Sequence, residues 1–484
     1  MKQIIGLDIG TNSVKAMIIA DGKILDQKSV GYNPDYLGDG FVEQDPKVWW
    51  EATKQAIKEI TSANLGEVAA ISASGQMHSS VFLDENGKVV RNALLWNDTR
   101  TTKQAKAITE LAGGETALLG MVHNRSLEGF TLPKILWLKE NEPQNFAKLH
   151  KVIMPKDYIN YKLTGRITTD ASDAAGTILL NVSKKQWSEE LIEKVGLSSD
   201  ILPEVLESVD IVGNVNEASA SELGLSKDTL VIAGGADNSC AAIGNGVVKS
   251  GQTIISIGTS GTVVTMLDNV PNNITGDVHL FNYSYPGKYY AMGCMLCAGE
   301  SLNWLRNIVN EDDFDKFNQL SAESAPGANG VVFLPYLFGE RCPYPNPDAK
   351  GMFFGLSNTT NKADMVRAVM EGVAYNIKAM FDIVSEFTEP TDIYITGGGA
   401  KSHIWGQIIA DILGRKINVL NIEEGPAFGA ALIAGVGAKI FDSFDAAKAV
   451  FLKSERTIEP ANHAAYSETF IKFKKLYEVN KELF

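Results

Sequence analysis

Cysteine is scarce, with four residues in a chain of 484, and that is too few for a disulfide framework at this length. Cys294 and Cys297 share a C-x-x-C spacing, yet they stand among apolar and small residues with no second pair and no neighbouring histidine. Buried structural thiols are expected there rather than a zinc or redox site. No apolar run reaches the ~18 residues of a membrane span, and no basic segment followed by an apolar one precedes the strand that begins at Ile4. The expectation is a soluble, cytoplasmic protein with no membrane partner. Basic runs and aromatic-basic interleaving are missing too, and Lys plus Arg (44) fall short of Asp plus Glu (58), for a formal net charge of −14. A nucleic-acid partner is therefore not expected. The phosphate-loop pattern G-x-x-x-x-G-K-[ST] does not occur, and Gly397-Gly398-Gly399 misses the G-x-G-x-x-G spacing because position 402 is serine. Both common glycine-rich nucleotide folds are thereby disfavoured.

Hydrophobic residues make up 45% and charged residues 21%, the balance of a compact globular chain. The length suggests two domains of roughly 240 residues each. With no low-complexity linker between them, the boundary near Val247 reads as a hinge, dividing 1–247 from 248–484. The stretch from Ile4 to Ile19 is a strand, a Gly10-Thr11-Asn12-Ser13 turn and a second strand, with Asp8 at the lip. The same grammar returns from Thr253 to Met266 around Gly258-Thr259-Ser260-Gly261, about half the chain later. Turns of Gly, Thr and Ser present backbone amides and hydroxyls in a small arc, as a phosphate chain requires. Either turn alone is compatible with an ordinary hairpin. The repetition, together with a carboxylate able to hold the magnesium that accompanies ATP, favours a nucleotide gripped between duplicated halves.

Asp45 and Pro46 are placed to cap and open a helix running through Ile60. A buried strand over 68–74 ends in Gly75-Gln76-Met77-His78, and Val81 to Val90 reads as a hairpin on an Asn-Gly turn. Thr229 to Ala242 reads as a strand, a glycine turn and a helix start, with Asp237 at the junction. Later come helices over 299–308, 363–387 and 404–413, the last preceded by a strand over 393–396 and Gly397-Gly398-Gly399-Ala400. Junctions of this kind set amides and helix dipoles at the carboxyl ends of strands, where α/β proteins bind ligands. Read from its residue type alone, Asp237 serves equally as a helix N-cap or as a base. Likewise Met77 and His78 fit core filling, Gly299 and Asn303 a helix start, and Arg125 a solvated loop.

The chain resembles the FGGY family of carbohydrate kinases, through Asp8-Ile9-Gly10-Thr11, Lys134-Ile135-Leu136-Trp137-Leu138, Gly258-Thr259-Ser260-Gly261 and Gly397-Gly398-Gly399-Ala400. Within that family it is most similar to the xylulose-phosphorylating group, through Gly75 to His78, Leu95 to Asp98, Pro155 to Tyr158, Ser172 to Thr177, Gly235 to Asn238 and Gly339 to Arg341. The resemblance implies an α/β fold of duplicated ribonuclease H-like, actin-like ATPase domains with a cleft between them. It implies ATP-dependent phosphorylation of a sugar, with Asp237 as general base and Met77, His78, Trp96, Arg125, Asp237 and Asn238 at the sugar. Gly10, Thr11, Asn12, Gly258, Thr259, Gly299, Asn303, Gly398, Gly399 and Ala400 would hold ATP, and Asp8 the Mg2+. A small-molecule sugar and ATP are the implied partners, and a homodimer is an assembly open to it. Departures from the family pattern stand at Ser79 for glycine, Cys342 for threonine and Ser402-His403 for Asn-Asp. Relatives acting on gluconate, ribulose, glycerol or another polyol remain alternatives, as does an actin-like nucleotide switch without kinase activity.

Overall fold

The computed structural model describes residues 2–64, 66–311, 313–422 and 425–484. Its first half is built on β1 (Lys2–Ile9), β2 (Ser13–Ala20), β3 (Lys23–Gly31), β4 (Glu67–Gly75), β5 (Ile211–Asn214) and β6 (Leu230–Ala236), in the sheet order β5-β6-β4-β1-β2-β3. The second half uses β7 (Thr253–Ile257), β8 (Gly261–Leu267), β9 (His279–Asn282), β10 (Tyr289–Met295), β11 (Ile393–Thr396), β12 (Ile417–Leu420) and β13 (Ser454–Ile458), ordered β9-β10-β8-β7-β11-β12-β13. In each sheet a three-strand antiparallel meander continues into two parallel strands: β3-β2-β1-β4-β6 in one, β10-β8-β7-β11-β12 in the other. The repeated hairpins are therefore the first two strands of one ribonuclease H-like core built twice.

Strand alternation sorts the apolar residues. Ile5, Leu7 and Ile9 face Trp49, Ile57 and Ile60 of α1 (Pro46–Ala63), whereas Ile4, Met17 and Ile19 join a core continuous with the second half. Asp45 caps α1 by accepting from the Lys47 amide at 3.0 Å, with Pro46 opening the helix. The hairpin expected over 81–90 forms only in part. Val81–Leu83 is fully buried and pairs instead with Lys151–Ile153, leaving a single bridge from Leu83 to Val89. A long-range partner that buries the strand outcompetes the local return run.

The remaining helices that position the site are α2 (Thr131–Asn141), α3 (Pro155–Thr164), α4 (Ala171–Ala175), α5 (Asp237–Gly244), α6 (Gly299–Val309), α7 (Lys362–Ser385), α8 (His403–Leu413) and α9 (Pro426–Gly437). Although α9 comes late in the chain, it packs along α5 and across β1, β4 and β6 of the first sheet. Glycines permit that approach: a Cβ on Gly6 would lie 1.9 Å from the Ala427 carbonyl oxygen, and one on Gly429 1.8 Å from that of Cys240. No helix among the described residues is long and apolar enough to cross a membrane.

Candidate active site

Ile9 pairs with Gly75, and Gly75 with Ala236, so β1, β4 and β6 end side by side. Three separate chain segments are thereby delivered to one sheet edge: the Gly10-Thr11-Asn12 turn, Gln76-Met77-His78, and Asp237. Asp237 is not the helix cap that its residue type allows; Ala236 holds that position and Asp237 is the first residue of α5. Its Oδ1 accepts from the Asn238 amide at 2.7 Å and from Asn238 Nδ2 at 2.9 Å, which leaves Oδ2 for a substrate proton. Desolvation, opposed by these two bonds, pushes the carboxyl up to about 6. A carboxylate so tuned is ionised at neutral pH and basic enough to accept a proton in a transition state. Asn238 Nδ2 also lies 4.0 Å from Met77 Sδ, so Asn238 links the Asp237 carboxylate to Met77.

His78 holds a left-handed backbone, φ +66°, which is strained for a residue with a Cβ. Its carbonyl is held by Thr131 Oγ1 at 3.1 Å and by Lys134 Nζ at 3.0 Å, and Lys134 also donates to the Gly129 carbonyl. Lys134 is wholly buried, and desolvation lowers its ammonium to about 7. The His78 ring stands edge-on to Phe130 with centroids 4.4 Å apart, and its Nδ1 lies 2.6 Å from the Gly176 carbonyl oxygen. A carbonyl can only accept, so Nδ1 carries the proton and Nε2 is left as an acceptor. Desolvation, with the charge of Lys134 nearby, holds the imidazole well below its ordinary value and therefore neutral.

Behind both groups lies a buried ionic cluster. Lys156 Nζ is 2.5 Å from Asp157, 2.9 Å from Asp170 and 3.7 Å from Asp173. Burial alone would lower the ammonium, but the three carboxylates outweigh it and hold Lys156 above its usual value. Asp170 caps α4 and binds Ser172 Oγ (2.6 Å) and Ser208 Oγ (2.7 Å). Ser172 Oγ in turn accepts from the Ala236 amide at 3.0 Å, immediately before Asp237. Because Gly176 follows α4 and holds His78, this one short helix touches the supports of both His78 and Asp237.

Trp96 is partly exposed, and its Nε1 donates to Thr11 Oγ1 at 2.9 Å, joining a sugar candidate to the first phosphate turn. Arg125 lies between two carboxylates. Its guanidinium is ion-paired with Glu115 (3.0 Å) and Asp277 (3.4 Å) and lines a surface groove with Tyr344 and Tyr477. Its charge is felt at His279.

The second sheet repeats the placement. Ile257 pairs with Gly261 and Ser256 with Thr396, setting Gly258-Thr259 beside Gly397 to Gly399. The amides of Ala298 and Glu300 donate to the Thr259 carbonyl (2.9 and 3.2 Å), and that of Gly299 to the Gly258 carbonyl at 2.8 Å. A cavity of about 440 Å³ opens here, lined by Gly258, Thr259, Gly299, Asn303, Gly398 and Gly399, with Leu302, Met370 and Trp405 as apolar walls. Exposed glycine backbone beside apolar walls suits a nucleoside with its phosphates. Ala400 is buried and lines an adjoining pocket with Asn245, Thr396 and Gly397. Ser402 lines the nucleoside cavity instead and caps α8, accepting from the Trp405 amide at 3.1 Å.

A sequence model for the N-terminal domain of the FGGY family of carbohydrate kinases matches residues 3–244, and one for the C-terminal domain matches residues 253–438. The chain belongs to the FGGY family. A Bacillus subtilis (strain 168) relative named xylulose kinase is 39% identical over 492 residues, covering 100% of this chain and 98% of the relative. Among solved structures, a ligand-bound xylulose kinase from Lactobacillus acidophilus superposes with a TM-score of 0.94 at 27% identity, covering 99% of each chain. A gluconate kinase from the same organism superposes at 0.93 and 27% identity, over 99% of this chain and 98% of that one. This FGGY kinase is thus an ATP-dependent carbohydrate kinase, and its overall fold does not by itself distinguish between acceptors.

Sequence reasoning named most of the edge residues and missed their supports in this kinase. Lys134, Lys156, Asp157, Ser172 and Gly176 all lie in segments that carried the family resemblance, but nothing in their spacing discloses what they hold. Lys134, Ser172 and Gly176 each bond a segment remote in the chain, and Lys156 reaches Asp170 and Asp173. The four cysteines are unpaired thiols, three of them buried and Cys294 half-buried, and no group of three or more potential metal ligands occurs among the described residues.

Proposed function

We propose that this kinase transfers the γ-phosphate of ATP to D-xylulose, giving D-xylulose 5-phosphate and ADP. The observation that carries the reading is the end-to-end 39% identity to the Bacillus subtilis xylulose kinase. The sugar binds at the first edge, where neutral His78 offers Nε2 as an acceptor, Met77 supplies an apolar wall and Asn238 holds Asp237. Asp237 Oδ2 takes the proton of the attacking hydroxyl as its oxygen forms the bond to phosphorus and the bond to the ADP oxygen breaks. Nucleoside and phosphates occupy the second edge, with Gly10, Thr11 and Asn12 meeting the phosphates from the other side.

Asp8, half-buried at the end of β1, is the carboxylate that would hold Mg2+. The donor set fits, because magnesium is usually bound by one or two carboxylates plus substrate phosphates rather than by a protein cage. Bound there, the ion would neutralise charge on the transferring phosphates. The two halves, 1–247 and 248–484, close about a hinge near Val247 to exclude water. We place the enzyme in the cytoplasm, with a homodimer as the assembly that sedimentation would test. A coupled ADP-release assay over D-xylulose, D-ribulose, glycerol and D-gluconate tests the reading. The highest kcat/KM should belong to D-xylulose. A higher value for D-gluconate would reassign the substrate, and ADP release that no acceptor stimulates would favour the nucleotide switch.

A further inference from the structure

Arg341 follows a residue anchored beside the second glycine hairpin. The preceding residue, Glu340, is buried, and its carboxylate accepts from the Leu296 amide (3.1 Å), the Arg341 amide (2.8 Å) and Asn376 Nδ2 (3.0 Å). Asn376 also donates to the Cys342 carbonyl at 3.2 Å, so the backbone is tied on both sides of Arg341. Gly339 has φ +77°, and a Cβ there would lie 2.4 Å from the Pro347 carbonyl oxygen, so the bend admits only glycine. The anchor point belongs to the second phosphate hairpin. Met295 pairs with Gly261, Leu296 follows it, and the Ala298 amide binds the Thr259 carbonyl.

The side chain carries a different message from this rigid frame. Arg341 is half-buried, and its guanidinium makes no ion pair or hydrogen bond with any described residue. This contrasts with Arg125, Arg91 and Arg100, each of which is matched to carboxylates. Its charge is felt at His78 and His279, both held neutral, and at Cys294, which also feels Asp237. Burial pushes the neighbouring Glu340 carboxyl up to about 8, so it is not a full counter-ion, and a half-buried guanidinium with no ion pair among the described residues is left for an anion. The guanidinium is held by a purpose-built loop, between the sugar-binding histidine and the phosphate hairpin. A ketose brings no charge to it, and the anion that appears at this junction during turnover is the migrating phosphoryl group. The planar guanidinium fork matches phosphate oxygens better than it matches a single hydroxyl.

We propose that Arg341 clamps the phosphoryl group as it passes from ADP to the sugar hydroxyl, and that it holds the phosphate of the sugar-phosphate product. This rests on the sugar-kinase reading and assigns to Arg341 a catalytic contact with the reacting group rather than with the acceptor sugar. The comparison of R341M and R341K with wild type, by steady-state kinetics and by calorimetric titration with D-xylulose and separately with D-xylulose 5-phosphate, tests it. R341M should keep its melting temperature, its ATP affinity and its D-xylulose affinity within ~2-fold, because the guanidinium supports no described residue. It should lose at least ~10-fold in affinity for the sugar phosphate and on the order of 10²-fold in kcat, as for removal of a preorganised donor to a developing charge. R341K, with the charge but not the fork, should fall between. Loss of sugar affinity with product affinity intact would overturn the proposal and make Arg341 a sugar ligand; unchanged kcat and product affinity would overturn it outright. If wild type prefers another acceptor, that acceptor and its phosphate replace the xylulose pair. A wild type that phosphorylates no acceptor refutes the kinase reading itself, an outcome visible before any variant is made.

Discussion

At Gly10-Thr11 the phosphate turn is backed by side chains: the Tyr32 hydroxyl and Gln76 Nε2 donate to the Gly10 carbonyl (2.7 and 3.2 Å), and Trp96 donates to Thr11. At Gly258-Thr259 the same turn is backed by backbone amides of residues 298 to 300. The two halves share one strand order, so the difference lies in what each hairpin is made to sense. On the proposed reading Gln76 and Trp96 belong to segments that hold the sugar, which would tie the first turn to acceptor occupancy. The second turn is fixed by main chain and, on the same reading, would serve as a floor for the nucleoside. A duplicated fold thus acquires a division of labour through the groups behind its turns.

The largest expected effect breaks the chemistry while leaving both edges intact. Asp237→Asn keeps an oxygen to accept from Asn238, so melting temperature and both substrate affinities should persist. Loss of the base should lower kcat by ~10²- to 10⁴-fold, and near-normal turnover in the purified variant would falsify the assignment. The wild-type acid limb follows from the same group. The base must be ionised, so kcat/KM should fall about tenfold per pH unit as pH drops below about 6, where Asp237 gains its proton. An acid limb lying well below that value would point to another group.

Gly299→Val should strike the nucleotide edge alone. A Cβ at Gly299 would lie 2.5 Å from the Gly258 carbonyl oxygen, and backbone cannot rotate away as a side chain can. Overpacking of ~1–3 kcal/mol, if expressed in nucleotide binding, predicts a rise in ATP KM of about 5- to 150-fold, with sugar affinity measured by titration unchanged. His78→Ala is the mirror image. Removing one substrate hydrogen bond, worth ~1–3 kcal/mol, should raise sugar KM by about 5- to 100-fold and leave ATP KM in place. Equal effects of either substitution on both substrates would erase the division between the halves.

Trp96→Phe should have the smallest effect and the most informative pattern. It removes the bond to Thr11 and retains most of the ring, at a cost of about 0.5–1.5 kcal/mol. Both KM values should rise by ~2- to 10-fold, because Trp96 bridges the acceptor pocket and the first phosphate turn. A change in only one of them would show that the first hairpin does not sense the sugar.

The sequence by itself determined the duplicated hairpins, the strand-to-helix junctions at Asp237 and Gly399, and the cap at Asp45, because each rests on turn chemistry and alternation within a dozen residues. It also marked Met77, His78 and Asn238 through their place in a family pattern. Only the tertiary structure decided that Arg125 is ion-paired with Glu115 and Asp277, that Ala400 lines a pocket beside the Gly258-Gly398 cavity, and that the Arg341 guanidinium makes no ion pair with any described residue. It alone revealed that Lys134 holds the strained carbonyl of His78, and that Lys156, through Asp170 and Ser172, reaches the amide before Asp237. Local rules fix which way a strand or turn goes. Whether a buried charge is paired depends on groups dozens to hundreds of residues away, and electrostatics between them exists only once the fold has excluded water.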